Sequence, residues 1–126
     1  MGKPFALIVE DDSMLADIFS RALKNIDYDT KVISEGLSAS NWLKYNVPNL
    51  LVLDLHLPFL SGEDILKQVN TDTRFKETKI MIATADAAFA RYLKGNITLT
   101  LIKPIDVDQL QKLAGRLKPN QAHVNS

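Results

Sequence analysis

Five short apolar runs divide this chain at regular intervals, and a longer amphipathic segment follows each of them. The runs cover residues 5–9, 30–33, 50–53, 79–83 and 99–102. Their apolarity is mostly continuous and does not alternate with polar residues, which is typical of strands buried on both faces of a parallel sheet. A chain that repeats a strand and a helix five times can close its core as one layer of strands covered by helices. We therefore predict an α/β fold, a (βα)5 doubly wound parallel five-stranded sheet.

The amphipathic segments predict the helices. In the first of them, apolar residues follow the i, i+3, i+4 spacing of a helix face; they are Leu15, Ile18, Phe19, Ala22, Leu23 and Ile26. Residues 36–45, 61–70 and 85–94 are expected to form further helices, and Asp106 is a suitable N-cap for the last one. The 126 residues have the size of one domain. We place this domain at residues 1–119 and expect a polar C-terminal tail, or the stump of a linker, at residues 120–126.

Composition excludes several classes of function. The formal net charge is zero and the 15 Lys and Arg residues are spread along the chain, so direct binding of nucleic acid is not expected. Cysteine is absent, which fits a reducing compartment. No apolar stretch approaches the roughly 18 residues of a membrane span, and the first residues lack the hydrophobic region of a signal peptide. These features predict a cytoplasmic protein that does not insert into membranes.

Acidic residues follow two of the apolar runs directly. Glu10, Asp11 and Asp12 come after the first run, and Asp54 comes after the third. The carboxyl ends of parallel strands line the ligand crevice of an open α/β sheet, so these carboxylates should share one pocket. Carboxylates packed together without a metal should repel and titrate as a coupled set. The sequence therefore predicts an acidic pocket that can hold a cation and a phosphoryl group.

An aspartate in such a pocket suits phosphoryl transfer. Its oxygen must approach an anionic centre, so charge has to be cancelled before it can attack. A hard divalent cation does this, and Mg²⁺ typically takes one or two carboxylates, a phosphate and several waters.

Four motifs at four successive strand ends resemble the receiver domain of two-component response regulators. The resemblance runs from about residue 5 to residue 117, and it implies the flavodoxin-like receiver fold. The motifs are Ile8-Val9-Glu10-Asp11-Asp12, Asp54-Leu-His-Leu-Pro58 followed by Ser61-Gly62, Thr84-Ala85, and Lys103-Pro104. Gly62 and Pro58 match residues that shape the loop after the third strand.

The resemblance implies that Asp54 accepts a phosphoryl group from a histidine kinase or a histidine phosphotransfer protein. It further implies a Mg²⁺ site, which Mn²⁺ could also occupy. Asp11 and Asp54 would supply carboxylates to the metal, His56 its backbone carbonyl, and Glu10 a water-mediated contact.

Other side chains carry over as contacts of the phosphoryl group. Lys103 would be a mobile point charge and Thr84 a hydroxyl donor. The side chains of His56 and Asp86 match positions that flank the attacking water and tune the phosphoryl lifetime. Thr100 stands where the family usually has an aromatic switch residue that responds to Thr84. We therefore expect a smaller rearrangement on activation than in relatives that carry the ring.

These features predict a phosphorylation-operated switch of protein–protein interactions. Its expected partners are the phosphodonor protein and an unidentified downstream protein, and the chain should be a monomer or a phosphorylation-linked dimer. We do not expect a metabolic enzyme, since the only chemistry predicted is phosphotransfer to the chain itself and the subsequent autodephosphorylation.

Two alternative functions remain open. A phosphoaspartyl-type small-molecule phosphatase also places an aspartate at a strand end, but it resembles an Asp-x-Asp-x-Thr pattern, and the second acid is His56 here. An interaction module could also have kept the fold without the phosphorylation.

The single residues also have purely structural interpretations. Asp54 could be a turn residue, Asp11 and Asp12 could only cap the following helix, and Thr84 could be an N-cap. Lys103 alone could be a solvated surface lysine. The joint occurrence of all these residues at strand ends favours the phosphorylation site.

Overall fold

The computed structural model of the protein describes residues 2–93 and 95–119, so the tail predicted at residues 120–126 lies outside the described residues. Strands and helices alternate through the described part, with a short 3₁₀ turn at Thr73–Phe75 before the fourth strand. The strands are β1 (Phe5–Val9), β2 (Asp29–Ile33), β3 (Leu50–Asp54), β4 (Lys79–Thr84) and β5 (Leu99–Ile102). The helices are α1 (Ser13–Lys24), α2 (Gly36–Leu43), α3 (Gly62–Asn70), α4 (Ala87–Ala90) and α5 (Val107–Arg116). In these ranges every helix is too short or too polar to cross a membrane.

All five strands are parallel and lie in the order β2-β1-β3-β4-β5, which confirms the predicted doubly wound sheet. The chain moves outward from β1 to β2, returns to β3, and then continues to β4 and β5 on the other side. β1 and β3 are therefore the two strands at which the winding direction changes. Val9 pairs with Leu53 in their register, so the residues that follow both strands lie at one edge of the sheet. Crevices at such a switch point are the usual ligand sites of open α/β sheets.

Alternate residues of the central strands build the two halves of the core. Leu7, Val9 and Leu53 face one layer, in which α2 and α3 contribute buried side chains such as Leu43 and Ile65. The other face of the sheet packs against α1 and α5, and its buried residues are Ala6, Ile8, Phe19, Ala22, Leu23, Tyr28, Leu50, Val52, Met81, Ala83, Leu101, Leu110 and Ala114. Helices thus cover both faces, as the continuous apolar runs predict.

The two edge strands differ from that prediction. β2 is largely exposed, with Val32 42% accessible, and only Leu101 of β5 is fully buried. An edge strand has one neighbour instead of two, and the covering helices reach over the central strands first. The predicted burial on both faces is therefore right for β1, β3 and β4 and wrong for the edges.

Two predicted helices end earlier in the structure. The predicted helix at 36–45 stops at Leu43, where the Arg74 guanidinium donates to the carbonyls of Leu43 (2.9 Å) and Lys44 (3.1 Å). These bonds satisfy carbonyls that a longer helix would pair internally. Residue 94 of the predicted helix at 85–94 lies outside the described residues. In the rest of this range only the four residues of α4 are α-helical, because Asp86 takes the N-cap position and none of those four residues is fully buried. Ser61 is not helical but caps α3, in a reciprocal capping box with Asp64.

Candidate functional site

The chain leaving β1 separates the three acids of the first motif. Glu10 turns into the protein and is 1% exposed, whereas Asp11 is exposed at the rim of the pocket. Asp12 is the N-cap of α1: its Oδ1 accepts from Met14 N (3.0 Å) and Leu15 N (3.1 Å). The structural interpretation is therefore right for Asp12, and two acids of this motif remain for the pocket.

Asp54 is the last residue of β3, one residue later than the predicted strand end, and it is 5% exposed. Its Oδ1 accepts a hydrogen bond from His56 N at 3.2 Å, which orients the carboxylate at the start of the β3–α3 loop. Carboxylate oxygens of Glu10, Asp11 and Asp54 all lie within 4.8 Å of one another. The predicted acidic pocket is thus present at the edge where β1 and β3 end, and its donor set is that of a hard oxygen-binding cation.

Burial is the main electrostatic effect at Glu10. It raises the pKa of this carboxyl from 4.5 to about 7, and the nearby Asp54 charge adds to the increase. Lys103 and the Asp12 N–H, which donates to Glu10 Oε2 at 3.2 Å, act in the opposite direction. The Asp54 charge therefore raises the pKa of Glu10, as the predicted repulsion requires, but burial raises this pKa more than repulsion does.

Lys103 follows β5 directly and reaches back over the pocket. Its Nζ lies 2.9 Å from Glu10 Oε1 and 3.6 Å from Asp54 Oδ2, and its side chain is 21% exposed. Within the described residues, Glu10 Oε1 has this charge beside it but no aligned hydrogen bond. Burial lowers the pKa of the ammonium, but the two carboxylates together outweigh burial, so the pKa of Lys103 is raised. The lysine is therefore a charged member of the pocket and not a solvated surface residue.

Thr84 ends β4 and is completely buried. Its carbonyl accepts from Lys103 N at 2.8 Å, one residue beyond its register partner Ile102, which extends the β4–β5 ladder to the start of the lysine. Its Oγ1 accepts from Asp86 N at 3.0 Å. A hydroxyl that accepts one bond keeps its own hydrogen for donation, so Thr84 can still donate to a group bound beside Asp54.

His56 and Asp86 meet at the mouth of the pocket. His56 Nε2 lies 3.7 Å from Asp86 Oδ2, and both side chains are partly exposed. The His56 ring also lies 5.9 Å from the ring of Phe89 in α4, with the two planes tilted by 31°. Their predicted effect on phosphoryl lifetime stays a prediction, but the structure brings both residues to the rim that the prediction requires.

Thr100 lies apart from this cluster. It is an exposed residue of the edge strand β5, where it lines a shallow depression with Ala87, Ala90, Arg91 and Ile102. Its role as a switch position stays a prediction. Sequence reasoning missed the contact of His56 with Phe89 and the cap that Asp86 forms on α4. An aspartate directly before Ala-Ala-Phe-Ala is an N-cap signal that could have revealed the second of these.

Gly62 holds the loop after β3 against the pocket. A Cβ at this position would lie 2.1 Å from the Asp54 carbonyl oxygen and 2.7 Å from Leu55 Cα. Gly62 N also donates to Leu55 O at 3.1 Å. The predicted shaping role of Gly62 thus has a steric cause: the first turn of α3 passes directly over the backbone of the strand end.

Comparison with known proteins identifies the family of this chain. A model of the response regulator receiver domain family matches residues 6–114. Chemotaxis protein CheY1 of Helicobacter pylori is 29% identical over 111 residues, which cover 84% of this chain and 90% of CheY1. Regulatory protein LuxO of Vibrio vulnificus is 31% identical over 108 residues, which cover 82% of this chain but 23% of LuxO.

A solved structure of a relative has the same fold as this chain. The signal receiver domain of a LuxO repressor protein from Vibrio parahaemolyticus superimposes with a TM-score of 0.82 at 30% identity, covering 91% of this chain and 89% of that one. The family match spans nearly all of the sheet and both of its helical layers. The chain therefore belongs to the response regulator receiver domain family and is a receiver domain of a two-component system.

Proposed function

We propose that this receiver domain is phosphorylated on Asp54, in a Mg²⁺-dependent reaction, by a histidine kinase or a histidine phosphotransfer protein. The observation that carries the proposal is the convergence of Glu10, Asp11 and Asp54 within 4.8 Å beside the Lys103 ammonium. Three carboxylates with one lysine leave an excess of negative charge at a buried edge. Such a site needs a cation before it can accept another anion.

The residues of the pocket fit a Mg²⁺ ion. Asp11 and Asp54 offer carboxylates, the backbone carbonyl of His56 follows Asp54 closely in the chain, and Glu10 would act through a water. Mn²⁺ has similar ligand preferences and could substitute. When bound, the metal neutralises phosphoryl charge. The exposure of Asp11 also leaves room at the rim for the waters that Mg²⁺ retains.

Asp54 would act as the nucleophile. One of its carboxylate oxygens forms the bond to phosphorus, while the bond from phosphorus to the donor imidazole nitrogen breaks and the nitrogen keeps the electron pair. Lys103 is 3.6 Å from Asp54 Oδ2, so a small change of its flexible side chain would bring the ammonium from Glu10 to a phosphoryl oxygen. The Thr84 hydroxyl would donate to another phosphoryl oxygen.

The reaction is directed at the chain itself. Water later attacks phosphorus, which restores the Asp54 carboxylate and releases phosphate, and the side chains of His56 and Asp86 would control access of this water. The phosphorylated and free forms would bind different protein partners. The interaction output is therefore the proposed function, and catalytic turnover of a small molecule is not.

Labelling with a small phosphodonor tests the proposal. Acetyl phosphate with Mg²⁺ should add one phosphate per chain, detected by intact mass and located at Asp54 by peptide mapping. Asp54→Ala should not be labelled, and Asp11→Ala should be labelled at least about tenfold more slowly because it removes a metal ligand.

Asp12→Ala is the matched control. It removes a carboxylate from the same motif but only the α1 cap with it, so it should lose about 1 kcal/mol of stability and keep its labelling rate. The same mass addition in Asp54→Ala, or equal slowing in the Asp11 and Asp12 variants, would contradict the assignment. Release of more than one equivalent of phosphate from a simple phosphate ester would instead favour the phosphatase.

A further inference from the structure

A cavity of about 460 Å³ lies between α3 and the segment that leads from α4 to β5. Its apolar and aromatic wall includes Leu66, Leu93 and Tyr92, and polar groups reach it from α3. Among the described residues, it shares none with the Asp54 pocket. Binding sites for small molecules usually have volumes of roughly 300–1,000 Å³ and an apolar lining with a few polar groups. The cavity has the size and the lining of such a site.

Asn70, the last residue of α3, forms one side of the cavity. Its Oδ1 accepts from Asn96 N at 3.1 Å, so Nδ2 is the donor end of this side-chain amide. Within the part of the chain that the structure describes, Nδ2 is buried and has no hydrogen-bond acceptor. A buried donor without an acceptor is unfavourable, and most buried polar groups in folded proteins are paired. We therefore expect an acceptor oxygen from outside the chain beside Asn70.

Gly95 lies directly beside this amide. A Cβ at this position would lie 2.0 Å from Asn70 Nδ2, and the φ angle of +116° also favours glycine. At this point the amide is therefore covered by backbone that carries no side chain. Gly95 is exposed and belongs to no helix or strand, so a small displacement of this residue would open Nδ2 to the cavity.

A single water molecule could supply the missing oxygen, but it would not fill the cavity. A water takes about 30 Å³, which is less than a tenth of this volume. The remaining space borders Leu66, which is 1% exposed, and the partly buried Leu93. Tyr92 is 81% exposed, so its ring packs little against the protein. A flat apolar body would cover these side chains and remove apolar surface from water.

We propose that this cavity binds a small aromatic carboxylate. The carboxylate accepts from Asn70 Nδ2 and faces the ammonium of Lys67, which lies three residues earlier on α3 and lines the same cavity. The aromatic ring lies over Leu66 and Leu93 beside Tyr92. This site is separate from the phosphorylation site and does not depend on it.

The opposite end of the cavity disfavours a second acidic group. Glu63 lines it seven residues before Asn70, or about 10.5 Å along the axis of α3. A carboxylate at that end would face a like charge, whereas a hydroxyl can donate to Glu63. The probe 4-hydroxyphenylacetate carries the carboxylate, the ring and the phenolic hydroxyl that these groups require.

Titration of the protein with 4-hydroxyphenylacetate, followed by proton–nitrogen correlation NMR, tests the proposal. The probe should bind saturably with a Kd of about 1 mM, since so small a ligand gains little affinity. The side-chain amide signals of Asn70 should shift, together with the backbone amides of residues 63–71, 92–93 and 95–97. The uncharged 4-hydroxyphenylacetamide should bind at least about tenfold more weakly, because it loses the charge-assisted bond. Asp54→Ala should bind the carboxylate probe as the wild-type chain does.

Three variants locate the interaction. Asn70→Asp keeps an oxygen that can accept from Asn96 N but replaces the donor by a second oxygen, so it should weaken binding at least about tenfold. Lys67→Gln changes an exposed residue, so the fold should persist and binding should weaken about threefold. Asn46→Asp is the matched control, because Nδ2 of Asn46 donates to Trp42 O at 2.9 Å near the end of α2 and does not line the cavity. This control should bind the probe as the wild-type chain does.

Each contrary result overturns the proposal. Shifts that do not saturate, or that lie outside the two segments, would leave a water as the partner of the Asn70 amide. Equal affinity of the wild-type chain, Asn70→Asp and Lys67→Gln would exclude the proposed contacts, and so would equal weakening in Asn46→Asp. If Asn70→Asp does not fold, the Lys67→Gln affinity and the comparison of the carboxylate with its amide decide the question. Loss of binding in Asp54→Ala would place the probe in the phosphorylation pocket instead.

Discussion

Replacing Gly62 by alanine should damage both the fold and the site. The added methyl group would lie 2.1 Å from the carbonyl oxygen of Asp54 and 2.7 Å from Leu55 Cα. Both neighbours are backbone atoms at the end of β3, so neither can rotate away as a side chain would. The first turn of α3 or the strand end itself must move by about 1.4 Å to restore an ordinary contact near 3.5 Å.

Gly115 offers a matched comparison. It lies near the end of α5, and a Cβ there would meet nothing within 4 Å. Gly115→Ala should therefore stabilise the chain by up to about 1 kcal/mol, since alanine is the better helix former. Gly62→Ala should instead cost about 2 kcal/mol, because overpacking typically costs 1–3 kcal/mol. The difference of about 3 kcal/mol corresponds to roughly 12 °C in midpoint temperature for a domain of this size.

Urea unfolding and thermal melts measure the stability, and labelling with acetyl phosphate measures the rate of phosphorylation at the site. A displacement of about 1 Å at the reacting residue can cost on the order of 100-fold in rate, so Gly62→Ala should be labelled at least tenfold more slowly. The variant must be assayed at a temperature where it remains folded. Equal stability and equal labelling of the Gly62 and Gly115 variants would refute the steric argument.

Three further predictions concern charge, core bonding and phosphoryl lifetime. Burial raises the pKa of Glu10 to about 7 from 4.5, so metal-free protein should hold a proton that the unfolded chain releases, and stability should fall as the pH rises through this window. Glu10→Gln should remove this pH dependence of the free energy of unfolding. Urea unfolding of both proteins at pH 5 and pH 8 with EDTA measures it, and an equal change between the two pH values in both proteins would be evidence against the prediction. Tyr28→Phe should cost about 1 kcal/mol in the same assay, because the buried hydroxyl donates to a carbonyl of α5 at 2.8 Å, whereas Tyr45→Phe at an 85% exposed position should cost nothing measurable. His56→Ala and Asp86→Ala should each change the dephosphorylation half-time without moving the label from Asp54, and unchanged half-times in both variants would sink the lifetime hypothesis.

The alternation of apolar runs with amphipathic segments was enough to predict the sheet and most of its helices. The central runs predict their own burial, because apolar residues such as Leu51 and Ile82 are stabilised by leaving water whichever face of the sheet they occupy. The five strands were therefore located to within one residue at each end. The family resemblance added the order of the motifs, and with it the residues that meet at the pocket.

Helix ends were less predictable because they depend on distant partners. α2 ends where Arg74, thirty residues away, donates to its last carbonyls, and α4 shrinks to one turn because its residues find little core to pack against. Neither the Arg74 contact of α2 nor the lack of core contacts at α4 can be predicted from the local sequence. Short helices obtain most of their stability from tertiary packing, so propensity alone overestimates their length.

Within the site, the sequence by itself determined which carboxylates, hydroxyl and ammonium are available and at which strand ends they stand. Only the tertiary structure decided their division of labour: Asp12 caps a helix, Glu10 is buried against Lys103, and Asp86 connects Thr84 to α4. The physical reason is that the sequence itself gives each residue's type, and the local apolar pattern gives its position at a strand end. Its burial, its charge partners and its hydrogen bonds arise from chain segments that folding brings together.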